Sequence, residues 1–208
     1  MFLCYTNDLV RLAIPRRTYT QSHIDYVIEI IKEVYKTFFP GYVPALTTVC
    51  VAGLPQDALV QVEAVVSHGD GTPPQPIADT VKLVIEANNT DKVPKSALST
   101  QTVAFSHYNH ISAQLPVDTK AGVKEQAAQC LQSINDIVES IDHCMADAVK
   151  INIALKNVAD IDAVDEAYAT FFPGGVPARR VVGVSALPND ALVQIDAVFG
   201  NAEGTPPA

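Results

Sequence analysis

Positive charge is scarce in this sequence, and nowhere is it arranged to grip phosphate. Lys and Arg number 14 against 23 Asp and Glu, a formal net charge of −9, and the densest basic run is the pair Arg16-Arg17. A nucleic-acid surface needs clustered cations, so no nucleic-acid partner is expected and the acidity reads as solubility. No run of about 18 apolar residues is present to span a bilayer, so no membrane partner is expected. The opening "MFLCYTNDLVRLA" lacks a basic n-region and is interrupted by Asp8 and Arg11, which argues against a signal peptide. Cys4, Cys50, Cys130 and Cys144 form no C-x-x-C pair and stand in apolar settings. Buried, reduced thiols in a reducing, cytoplasmic compartment are therefore expected. Of the five histidines, His107 and His110 are three apart but across an expected turn, with no third ligand near in sequence. No metal is expected. A G-x-S-x-G elbow, a Walker loop and a dinucleotide fingerprint are all missing, and no cofactor is expected.

What the chain does have is apolar mass and repetition. At 208 residues, 48% apolar and 18% charged, it can bury the core of one generous domain or two small ones. With Phe38 set over Phe171, an offset of 133, residues 38–74 match 171–207 at 22 of 37 positions without a gap. The shared words are "FFPG", "VPA", "LP", "DALVQ" and "GTPP". Such a match marks an internal duplication. With one gap it extends upstream, "NDLVRLAI" (7–14) over "ADAVKINI" (146–153) and "IKEVYKTFF" (31–39) over "VDEAYATFF" (164–172). The expected division is a partial repeat over 1–70, a linker with one extra element over 71–94, a complete unit over 95–201 and a tail over 202–208. The missing front half and the stop at "GTPPA" fit a truncated product, or one segment of a longer array, as well as they fit a finished design.

In the complete unit, "TQTVAFSH" (100–107) and "HISAQLP" (110–116) predict a hairpin turning at "YN". Val123, Ala127, Cys130, Leu131, Ile134, Val138 and Ile141 recur at helical spacing over 122–141. "AVKINIAL" (148–155) alternates as a strand does, and 160–172 is a second amphipathic helix stopped by Pro173. Strands over 178–187 and 191–199 are expected to form a hairpin about "PND". The order ββαβαββ, with two helices on one face of a sheet, is an α+β arrangement. The partial copy supplies βαββ, and its sheet needs something to cover an apolar face.

Read in order, the helix ending "AYATFF", then "VPAR", then "ALPNDALVQIDA" resemble the RidA/YjgF family of enamine/imine deaminases. "HISAQLPVD" is similar to that family's early strand-turn segment, usually written with Ser-Gly-Gln. The resemblance covers the whole unit 95–201, and its back half covers 7–67. It implies a chorismate-mutase-like fold and a homotrimer or pseudo-trimer with ligand clefts at the subunit interfaces. It also implies hydrolysis of 2-aminoacrylate-type enamines or imines to 2-keto acids and ammonia.

Carried over position by position, the resemblance makes Arg179 the holder of the substrate carboxylate, for which a planar, permanently charged fork is suited. The alternative is an arginine pairing with an acidic surface residue. The family's water-positioning glutamate falls on Gln194, which can orient a water but cannot take its proton. Asp196, on the same strand face, is the next acid within reach, or else a solvated carboxylate. The usual tyrosine falls around Thr100, an asparagine becomes Asp165, and the glycine of Ser-Gly-Gln becomes Ala113. Ser112 remains, as a ligand contact or a turn serine. In the partial copy Leu46 stands where Arg179 does, so no anion site of this type is expected there. Three functions stay open: the deaminase, a non-catalytic metabolite binder or scaffold, and a ribonuclease, against which the acidity weighs.

Overall fold

The computed structural model describes residues 10–15, 26, 30, 33–39, 43–58, 60–65, 85–105 and 107–200. Alternation along one strand organises the larger sheet. In β9 (Val193–Gly200), Val193, Ile195, Ala197 and Phe199 enter the main apolar cluster. Gln194 and Asp196 therefore point to the other face. Strands β4 (Ile85–Asn88), β5 (Thr102–Phe105), β6 (Tyr108–Gln114), β7 (Ala148–Leu155) and β8 (Ala178–Gly183) complete it. The spatial order is β4-β5-β6-β9-β7-β8.

Helices α1 (Val123–Glu139) and α2 (Ile161–Phe171) cover one face. The α1 stripe of Ala127, Cys130, Leu131, Ile134, Ile137 and Val138 is wholly buried. It meets Ile151, Ile153 and Leu155 of β7 together with the inward residues of β9. Each large side chain buried in this way contributes about 1.5–3 kcal/mol. The connections give ββαβαββ from β5 to β9.

Two local expectations fail. The chain turns before Tyr108, and Tyr108 and Asn109 pair inside β6 with Phe105 and Ala104 rather than forming the turn. Strands β8 and β9 are not a hairpin. β8 runs parallel to β7 by way of α2, and β9 lies antiparallel on the far side of β7, between it and β6. A β-α-β crossover lays its second strand parallel to its first, and β8 is the edge strand of the sheet. "PND" is instead one 3-10 turn, with Asn189 at φ 56°. Among the thiols, Cys50 and Cys130 are buried but Cys144 is exposed, and Cys4 lies outside the described residues. Burial pushes the Cys130 thiol up to about 12.

A second sheet lies at the N-terminal end: β1 (Val10–Pro15), β2 (Leu46–Val51) and β3 (Gln61–Ala64), in the order β2-β1-β3. β1 is parallel to β2 and antiparallel to β3, as β7 is to β8 and β9. Residues 33–38 are helical. Gln56 takes φ 57°, and 133 residues on Asn189 takes φ 56°. Tyr35 stacks on Phe39 and Tyr168 on Phe172, each pair with ring centroids 4.5 Å apart. Val60, Val62 and Val65 remain exposed.

Gln126 ties the unit's loops to its core. Fully buried, its Nε2 donates to the carbonyls of Thr119 and Ala121, both at 2.9 Å, and its Oε1 accepts from the Leu192 amide at 2.8 Å. Gln126→Leu keeps the volume but removes three bonds and leaves the part-buried Leu192 N–H without its acceptor. Urea unfolding is expected to show a loss of about 2–4 kcal/mol, and a loss below about 1 kcal/mol would refute that role.

Candidate functional site

The expected site residues assemble into two groups on opposite faces of the sheet. Directly paired residues share a face, so Arg179, paired with Ile151, lies on the helix side. There its Nη1 donates to Asp165 Oδ1 at 2.5 Å and its Nη2 to Asp165 Oδ2 at 3.4 Å. The guanidinium carbon stands 5.1 Å from the centre of the Tyr168 ring. Asp165 and Tyr168 share a face of α2, being three residues apart. Burial pushes the Tyr168 hydroxyl up, the Arg179 charge opposing it. This geometry is both that of a surface ion pair and that of a fork holding a carboxylate.

The second group gathers on residues 43–48. Ser112 Oγ donates to the Thr100 carbonyl at 2.6 Å and accepts from the Leu46 amide at 2.9 Å. Thr100 Oγ1 donates to the Val43 carbonyl at 2.5 Å, and the Thr100 amide to the Pro44 carbonyl at 3.3 Å. Gln194 Nε2 donates to the Thr48 carbonyl at 3.1 Å. Cys50 bridges Ala186 in antiparallel fashion, its amide donating to the Ala186 carbonyl and its carbonyl accepting from the Ser185 amide. Val49 packs with Ala154, Val184, Leu187 and Ala191. The apolar cover needed by the smaller sheet thus comes in part from the larger one.

Asp196 extends the second group. It is buried, and Asn152 Nδ2 donates to its Oδ1 at 2.6 Å. Arg179 does not join these residues within one chain. β8 is two strands from β9, about 10 Å of sheet, and its arginine faces the other way. Two partners went unread in the sequence, Tyr168 and Asn152. The first was signalled by its spacing from Asp165, the second by alternation along β7. Among the described residues no group of three His, Cys, Asp or Glu could hold a metal ion, and no helix is long and apolar enough to cross a membrane.

Residues 92–199 match the family model described as Endoribonuclease L-PSP. A RutC family protein of Pyrococcus horikoshii is 33% identical over 116 residues, covering 52% of this chain and 92% of that protein. The 2-iminobutanoate/2-iminopropanoate deaminase of Rattus norvegicus is 29% identical over 117 residues, covering 53% of this chain and 85% of that protein. Among solved structures, RidA from the Antarctic bacterium Psychrobacter sp. PAMC 21119 is similar with a TM-score of 0.53 and 30% identity. That likeness covers 56% of this chain and 99% of the other.

Ser112 links the two sheets through a single oxygen. Ser112→Ala removes the acceptor for the Leu46 amide, a bond worth about 1–2 kcal/mol. Hydrogen exchange at Leu46 is expected to quicken roughly five- to thirtyfold, with amides in α1 unchanged. An unaltered Leu46 rate would show that the serine does not hold the segment.

Proposed function

This chain belongs to the endoribonuclease L-PSP family, which includes RidA and YjgF, and on that premise we propose that it hydrolyses small carboxylate-bearing enamines or imines to 2-keto acids and ammonia. The observation that carries this reading is Arg179. Its two terminal nitrogens already span both oxygens of a carboxylate, with an aromatic ring beside the guanidinium. A substrate carboxylate exchanging with Asp165 meets a fork set in that pose.

The chemistry asks little else. An enamine first shifts a proton from nitrogen to C3 to give the imine. Water then adds to C2, one of its protons passing to the nitrogen, and the C–N bond breaks as the second passes from the hydroxyl to the departing ammonia, leaving the carbonyl. Gln194 Oε1 is suited to accept a hydrogen bond from the attacking water, and the Asp196 carboxylate, held by Asn152, to take its proton. Arg179 and Gln194 occupy opposite faces, so a cleft that unites them draws the arginine from one copy and Ser112, Thr100, Gln194 and Asp196 from another. A trimer or pseudo-trimer supplies such clefts by symmetry.

One observation favours a second reading, a non-catalytic metabolite binder or scaffold. The Gln194 amide is engaged by the Thr48 carbonyl, and Ser112 is engaged by the amide of Leu46, the residue that aligns with the clamp. For a ribonuclease the sequence offers no cluster of Lys and Arg denser than the pair Arg16-Arg17.

Calorimetry with 2-oxobutyrate, alongside ammonia release from enzymatically generated 2-aminoacrylate, tests the proposal. Arg179→Ala is expected to weaken keto-acid binding roughly a hundredfold with secondary structure intact, since a charge-assisted pair is worth a few kcal/mol. Asp165→Asn, which removes the competing carboxylate from a half-exposed pair, is expected to tighten binding a few-fold. Equal binding by wild type and Arg179→Ala would remove the clamp and leave the scaffold reading.

A further inference from the structure

Residues 43–51 sit on the larger sheet as a neighbouring subunit's edge would. They match 176–184 of the same chain, with Leu46 over Arg179. The equivalence is geometric too. Leu46 packs against Tyr35, as Arg179 stands over Tyr168, and each strand is the edge partner of a parallel pair. The face carrying Thr100, Ser112, Ala186 and Gln194 therefore recognises the backbone of one particular edge. This chain possesses two such edges, β2 and β8. The first occupies the face in cis. The second, bearing Arg179, has no strand beyond it among the described residues.

We propose that residues 43–51 are a resident competitor on this face, holding in cis the place that the β8 edge of a second copy takes in the cleft proposed above. While they are seated, the cleft is closed with an aliphatic side chain where the arginine belongs. An Arg179-bearing cleft forms only where the segment has given way to another chain's β8. The cis occupancy stands on the contacts alone, and the competition rests on the cleft and function proposed above.

An introduced cysteine separates the two halves. Cys50 and Ala186 face each other across the antiparallel bridge, a geometry within reach of a disulfide. In full-length Ala186→Cys, mild oxidation is expected to link that position to Cys50 within one chain, giving a monomer on a non-reducing gel with the crosslinked peptide identified by mass. Oxidation is further expected to weaken 2-oxobutyrate binding at least tenfold, and dithiothreitol to restore it. A covalent dimer, or no link at all, would overturn the cis occupancy. A cis link that leaves keto-acid binding unchanged would overturn the competition.

Leu46→Arg in the Arg179→Ala background gives a readout that needs no disulfide. In the repeat, Lys32 aligns with Asp165. Recovered 2-oxobutyrate binding supports the docking geometry. Continued absence of binding, where wild type binds, contradicts it. A wild type that binds no keto acid removes the function proposed above, and the crosslink alone then decides the docking.

Discussion

Strand β9 carries the constraint on which the rest depends. Lying between β6 and β7, it must satisfy ladders on both sides and two different faces at once. Its odd-numbered residues from Val193 to Phe199 fill the space under α1, where a gap of even one methylene group is costly. Its even-numbered residues then have no choice of side. Gln194 and Asp196 must point away from the helices. β7 separates β9 from β8, so Arg179 stands two strands off, and its pairing with Ile151 sets it on the helix face. The distance between the halves of the proposed site is thus a consequence of core packing, not of the chemistry.

The same geometry bears on the replaced glutamate. Gln194 donates to the Thr48 carbonyl from a position almost closed to water. An ionised glutamate there would set two acceptors against each other in a low-dielectric spot, and could relieve it only by taking up a proton. A glutamine supplies the donor at no such cost. The residue that the family pattern would have made a base is here committed to holding the segment in place. Asp196, paired with Asn152, is left as the acid on that face.

The features legible in the sequence were those decided locally. The stripe over α1 appears nearly to the residue, and in β7 Ile151, Ile153 and Leu155 share the helix face as the alternation predicts, although both faces are buried there and Val149 is exposed. Strand partnership was not local. "PND" carries the composition of a hairpin turn, yet β9 pairs with β6 and β7 and not with β8, a partnership that belongs to the whole sheet. The chemistry divided the same way. Arg179 and Asp165, fourteen residues apart, were both marked, although their pairing was not. The contacts of Ser112 with Leu46 and Gln194 with Thr48 span 66 and 146 residues, beyond any periodic signal.

Those long-range contacts also account for why the duplication could keep its arginine only once. Ser112, Thr100, Gln194 and Ala186 all meet the segment through its main chain, at the Val43, Pro44 and Thr48 carbonyls and the Leu46 and Cys50 amides. Main-chain groups are the same whatever side chain they carry. The side chain at position 46 points back onto Tyr35, where an aliphatic group packs on the ring as readily as a guanidinium stacks on Tyr168. Docking therefore places no demand on the side chain of residue 46. Once the cis segment serves to cover a face, leucine satisfies every physical requirement of the position, while β8, held to no cover, retains the charge.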